Sequence, residues 1–157
     1  MNQRSQRGVT LLEMMIVTAL IAVVVGVTFP AINSGIDSLR LRAATDGIVT
    51  HFTAALNRTE RRQIAMEVGI FRQENLMRFI SADGSYRKQF DMPEGVTITG
   101  ILPDVPGLDS NATRVFLLHP GGVIPRVVVE VTNRRRAKRL VSVDPITGTA
   151  QIQVVPK

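Results

Sequence analysis

Gly8-Val9-Thr10-Leu11-Leu12-Glu13-Met14-Met15-Ile16-Val17 opens a long apolar run, and the single charge inside it decides how the chain is read. From residue 14 to residue 29 nothing is charged, and residues 9–29 form a stretch of 21. As a helix this stretch is about 30 Å long, the thickness of a bilayer's hydrocarbon core. Arg4, Arg7 and the initiator amine precede it, which keeps a short leader in the cytoplasm and sends the rest of the chain outside. A carboxylate near lipid costs a few kcal/mol or more, so Glu13 is expected to have a partner that answers it. A secretory signal peptide shares the basic start and the apolar run. Against it stand Glu13, early in the run, and the lack of a small-x-small cleavage site where one would fall. A helix buried in a soluble core is the remaining alternative.

The chain has 157 residues, enough for one domain once a membrane helix is subtracted. It has no cysteine, which excludes thiol catalysis, zinc–cysteine sites and iron–sulfur clusters, and leaves the extracytoplasmic part to hold together by its core alone. The formal net charge is +6 and falls to +4 if Arg4 and Arg7 are removed. How that excess is distributed matters more than its sum.

The N-terminal segment resembles the leader of type IV prepilins and type II secretion pseudopilins. In that superfamily a short basic leader ends in glycine and leads into an apolar-Thr-Leu-Ile/Leu-Glu run. The resemblance implies that a prepilin peptidase cuts between Gly8 and Val9 and methylates the new amine of Val9. It matches Glu13 to the acidic fifth residue of the mature chain, and Pro30 to a kink-forming proline. Val9 stands where phenylalanine is commonest, and Leu12 where isoleucine is common. Cleavage places a positive amine on Val9, four residues before Glu13. In a filament, the carboxylate of one subunit pairs with the amine of its neighbour, which offsets burial and sets the axial register. Pairing across one turn of the same helix is the alternative.

Beyond the span, Pro30 removes one helix hydrogen bond and should bend the helix without ending it. Asn33, Ser34 and Gly35 weaken the next turn, and a melted stretch is expected around residues 26–35. Helical patterning then resumes. Ile32, Ile36, Leu39 and Ala43 share one face; Val49, Phe52 and Leu56 continue the stripe after a slip near Gly47. The helix is expected to end near Arg62, about 80 Å from Val9. Strands are expected around Ile64, Met66, Val68 and Ile70, then over 76–80, 86–90, 96–99, 113–118, 127–131, 139–143 and 149–154. Turns rich in glycine, proline and aspartate separate them. The fold class is α+β and pilin-like: a long N-terminal helix, transmembrane in its first half, packed on a small antiparallel sheet domain. The expected organisation is a cleaved leader at 1–8, a transmembrane half-helix at 9–30, an amphipathic half-helix at 31–62 and a β-rich domain at 63–157.

The second half resembles the GspH/FimT group of minor pseudopilins. Val115-Phe116-Leu117-Leu118-His119-Pro120-Gly121-Gly122 is similar to the group's strand and glycine turn. Val141-Ser142-Val143-Asp144-Pro145-Ile146-Thr147-Gly148 is similar to its hairpin, and Met92-Pro93-Glu94-Gly95-Val96 to its proline–glycine step. The resemblance implies a single-pass inner-membrane protein with its C-terminal domain in the periplasm. It implies a subunit that joins, initiates or caps the pseudopilus of a type II secretion system. The alternative is a minor pilin of a type IV pilus, some of which take part in DNA uptake. The implied partners are the prepilin peptidase, other pilin or pseudopilin subunits, inner-membrane lipid and, in the alternative, DNA.

Arg134, Arg135, Arg136, Lys138 and Arg139 form a dense basic run between two strands. One reading is a solvated loop that blocks edge pairing and keeps the domain soluble. Another is a polyanion site, since arginine at this density favours phosphate; no aromatic residue interleaves to stack bases. A third is contact with an acidic partner subunit. Arg58, Arg61 and Arg62 lie at the helix end, where positive charge is favoured anyway. His51 and His119 have no acid or nucleophile at a telling spacing. Asp83, Asp104, Asp109 and Asp144 lie in turns, and no regular calcium loop brackets Asp104 and Asp109. No catalytic residue, metal or cofactor is expected; the chain reads as the substrate of a peptidase.

Overall fold

Thr10 starts the long helix: its Oγ1 accepts the N–H of Glu13 at 3.2 Å, satisfying one of the free donors of the first turn. Thr10-Leu11-Leu12-Glu13 thus has the spacing of a capping box. The computed structural model describes residues 9–104, 107, 109 and 112–155, with backbone alone at 29–33. Helix α1 covers Leu11–Arg62, 52 residues, and ends in Gln63, whose φ of 54° is the left-handed turn that closes many helices. The helical backbone is unbroken through residues 26–35, so the expected melting is not seen. Two glycines cost about 1 kcal/mol each, less than restarting a helix once its cooperative ladder is broken. Pro30 lies inside the helix, and Gly8 lies outside the described residues.

The chain divides into two units, residues 1–36 and 37–157. In the first, Leu11–Thr28 is long and apolar enough to cross a membrane, and none of it is buried. Its hydroxyls are answered within the helix: Thr18 Oγ1 donates to Met14 O at 2.9 Å, and Thr28 Oγ1 to Val24 O at 2.7 Å. Lipid offers no other partner, so this back-bonding suits the segment to a bilayer.

The second unit is the α+β body. Its strands are β1 (Met66–Phe71), β2 (Leu76–Ser81), β3 (Arg87–Asp91), β4 (Val96–Leu102), β5 (Arg114–Leu118), β6 (Val127–Asn133), β7 (Lys138–Val143) and β8 (Ala150–Val154). They form two antiparallel four-stranded sheets, ordered β3-β2-β1-β5 and β4-β6-β7-β8. Alternation explains the strands: in β6, Val127, Val129 and Val131 are buried while Val128 and Glu130 are half-exposed. One core takes Ile48 and Phe52 from the helix, Val68 and Phe79 from one sheet, and Val129 and Val141 from the other. Phe52 meets Phe79 edge-on at 5.8 Å. The Asn75 side chain ties the two sheets, donating to Val96 O at 2.7 Å and accepting from Ile98 N at 2.9 Å.

The buried face of α1 differs from expectation before Gly47. Leu41, Ala44, Thr45 and Ile48 are buried, whereas Ile36, Leu39 and Ala43 are exposed, Leu39 by 67%. Leu39 and Leu41 head two competing stripes in this sequence, and the sheets took the second. Phe52 is buried as expected, with Val49 and Leu56 packed at the margin.

Candidate functional site

The N-terminal site is built from the first turn of α1. Val9, Leu11 and Leu12 are 65%, 79% and 68% exposed, and Glu13 is exposed among them. A carboxylate in the first turn is favoured by the helix dipole, but by only about 0.3–1 kcal/mol at a surface. Placing it in a bilayer costs roughly 2.5 kcal/mol or more. The helix end therefore does not compensate Glu13 in lipid, and among the described residues no ion pair reaches it.

The basic run is tighter than expected. Asn133 belongs to β6, Lys138 and Arg139 belong to β7, and only residues 134–137 turn between them. Asn133 builds that turn. Its Oδ1 accepts Arg135 N–H at 3.0 Å and Ala137 N–H at 2.9 Å, while its main chain exchanges bonds with Arg136 N–H and Ala137 O. Arg136 has φ 62°, the left-handed residue of this hairpin turn, a place where glycine or asparagine is usual. Asn133 is buried, and its Nδ2 donates to Asp37 O at 3.4 Å.

Three of the five cations have carboxylate partners. Arg134 Nη2 meets Glu94 Oε1 at 2.6 Å, Arg135 Nε meets Asp37 Oδ2 at 3.8 Å, and Lys138 Nζ meets Glu130 Oε1 at 3.0 Å. Arg40 of α1 takes the second oxygen of Glu94 at 3.1 Å. The hydrogen bond from Arg134, and then the charge of Arg40, hold the Glu94 carboxyl below its ordinary range. Hydrogen bonds from Thr99 and then Lys138 do the same for Glu130. Arg134 lies across Gly95, where any Cβ would fall 2.8 Å from its Nε. Arg136 and Arg139 make no ion pair among the described residues. The cations of the three turn pairs are exposed, which weakens the attraction and leaves arginine donors available, while Asp37 and Glu130 are half-buried. Six cations face three carboxylates here, counting Arg40.

Sequence reasoning found the cations but missed Asp37, Glu94, Glu130 and Asn133, which organise them. The Asn133-to-Ala137 spacing was the one local clue, because asparagine side chains commonly bond backbone two residues on. The other basic group is spread along the helix end, with Arg58 over the Tyr86 ring at 4.4 Å. His51 stacks on Phe90 at 4.7 Å and its Nδ1 contacts Gly47 O at 2.8 Å, which makes it a packing residue; His119 is exposed in a turn. Among the described residues no three His, Asp or Glu gather into a metal site, and Asp104 and Asp109 line an open hollow with Arg72, Arg114 and Glu130.

Residues 3–29 match the family described as the prokaryotic N-terminal methylation motif. The chain thus carries a prepilin-type motif, which supports the type IV pilin and pseudopilin superfamily and marks it as a substrate of prepilin peptidase. With its bare apolar helix, it fits a single-pass inner-membrane protein. Searches of curated proteins and of solved structures found no match to the chain.

Proposed function

We propose that this chain is a minor pseudopilin, cut between Gly8 and Val9, methylated on Val9, and assembled through Glu13 into the periplasmic pseudopilus of a type II secretion system. The observation that carries the reading is a prepilin-type motif whose apolar stretch Leu11–Thr28 is unburied and holds one carboxylate without an ion pair among the described residues. A helix of this kind is incomplete alone: lipid covers it before assembly and neighbouring helices cover it after. The β5 strand with its adjoining turn, and the β7–β8 hairpin, are the parts that resemble minor pseudopilins, and they support this subclass over a major pilin. In this reading the leader is cytoplasmic, the β-rich body periplasmic, and Pro30 a bend between the two halves of the helix.

Removing the charge tests it. Glu13→Gln is expected to insert in the membrane like the parent chain, yet to fall at least tenfold in filaments, because the neighbour's amine is then buried without its partner. Filaments are sheared from cells, and the subunit is quantified by mass spectrometry together with its companions. Secretion subunits among those companions support the pseudopilus; pilus subunits turn the assignment to a type IV pilus. Equal incorporation of Glu13→Gln would remove Glu13 from assembly.

A further inference from the structure

The basic turn sits where the globular unit is attached to the rest of the chain. That unit begins at Asp37, and Asp37 is the residue that Asn133 and Arg135 bind. Asp37 lies nine residues beyond Thr28, the last residue of the apolar span. Connectivity alone then limits their separation to about 30 Å even if the link were fully extended. The turn is therefore tethered within that reach of the end of the span, whatever the angle between the two units.

Two features of the turn exceed what folding requires. Arg136 occupies a left-handed position at which glycine costs less, and its side chain is exposed at the tip with no ion pair among the described residues. Arg134, Arg135 and Lys138 flank it, each exposed and paired with a carboxylate, and Arg139, half-buried, comes next on β7 without a pair among the described residues. The hydrogen bonds of Asn133 fix the backbone of the turn, on which Arg134, Arg135 and Arg136 are exposed, as is Lys138 beside it, while Arg139 is half-buried.

We infer that this turn docks on the anionic phospholipid headgroups of the membrane that holds the span, steadying the subunit before it enters a filament. The inference rests on the reading of Leu11–Thr28 as a membrane span. The chemistry is that of juxtamembrane basic segments: guanidinium groups meet phosphate, and each cation near an anionic leaflet strengthens attachment several-fold. Duplex DNA offers the same phosphates, but it must arrive by diffusion, whereas the tether keeps the turn within reach of lipid. Lipid is already there.

The test uses the full chain in nanodiscs of phosphatidylcholine, with or without phosphatidylglycerol. The chain has no cysteine, so a single donor dye at Thr97→Cys, on the exposed face of β4, reports the distance to acceptor-labelled headgroups. Expected is stronger energy transfer with phosphatidylglycerol, loss of the gain at high salt, and loss of it in Arg136→Gly/Arg139→Gln. That variant breaks no ion pair seen among the described residues. Two neutralised cations correspond to a fall of about tenfold or more in the docking equilibrium. An essentially unchanged denaturation midpoint for Arg136→Gly/Arg139→Gln shows that the fold survives. Transfer that ignores lipid charge, or a variant that behaves like the parent, overturns the headgroup inference and leaves the span standing. Failure of the chain to enter the discs overturns both. Binding of fluorescent duplex DNA that the variant loses, without any headgroup effect, overturns the inference and assigns the turn to nucleic acid.

Discussion

Gly47 shows how a single residue fixes the seating of the helix. A Cβ there would run into the Cζ end of the Phe90 ring, which is stacked on His51 and so resists displacement. Replacing a mid-helix glycine by alanine gains about 1 kcal/mol of helix propensity, and overpacking a filled contact costs about 1–3 kcal/mol. The clash wins: Gly47→Ala should destabilise the body by about 1 kcal/mol or more in denaturant titrations. Gly35→Ala should not, because nothing lies within 4 Å of its Cβ position; it should gain roughly 0.5–1 kcal/mol. Equal effects at the two sites would contradict the packing described for Phe90. Glu13 makes the complementary case, a residue whose charge no ion pair answers among the described residues.

At the scale of elements, two turns are held by side chains rather than by glycine alone. Asp83 anchors the turn between β2 and β3, accepting from Ser81 Oγ at 2.6 Å and from Ser85 N and Oγ at 3.1 and 2.9 Å. The Ser81 hydrogen bond is the largest cause that lowers its pKa from 3.8 to about 2. A lowered folded pKa means the ionised form supports the fold. That support is full above pH 3.8 and is lost as pH falls through about 2. An NMR titration of the Asp83 carboxyl should show the low midpoint, and Ser81→Ala should move it upward. In the β6–β7 hairpin, Asn133→Ala removes two turn bonds and the link to Asp37, at a cost of about 2–3 kcal/mol in chemical denaturation; a cost below about 0.5 kcal/mol would dismiss Asn133 as the organiser of the turn. The strands were legible in the sequence because alternating valines and turn residues are local signals. The helix face at 36–48 was not, since Leu39 and Leu41 supply two equivalent stripes and only the position of the sheets chooses between them. The carboxylates that meet the arginines were also invisible, because Asp37 and Glu94 come from distant parts of the chain and reach the turn only through the fold.

For the whole molecule, the two units divide the work. In the proposed function the bare helix supplies insertion, processing and the contact that joins a filament, and the α+β body the surfaces by which one subunit differs from another. The prepilin-type motif was readable as a string of residues, since peptidase and membrane both act on that string directly. The choice between secretion pseudopilus and pilus is a property of partner surfaces, which no local pattern encodes. In the proposed function, entry into either filament depends on processing at the Gly8–Val9 bond. The intact mass of the chain extracted from membranes tests that step. Loss of residues 1–8 and gain of one methyl group on Val9 are expected; a mature chain that starts elsewhere, or an unmodified Val9 amine, contradicts the assignment.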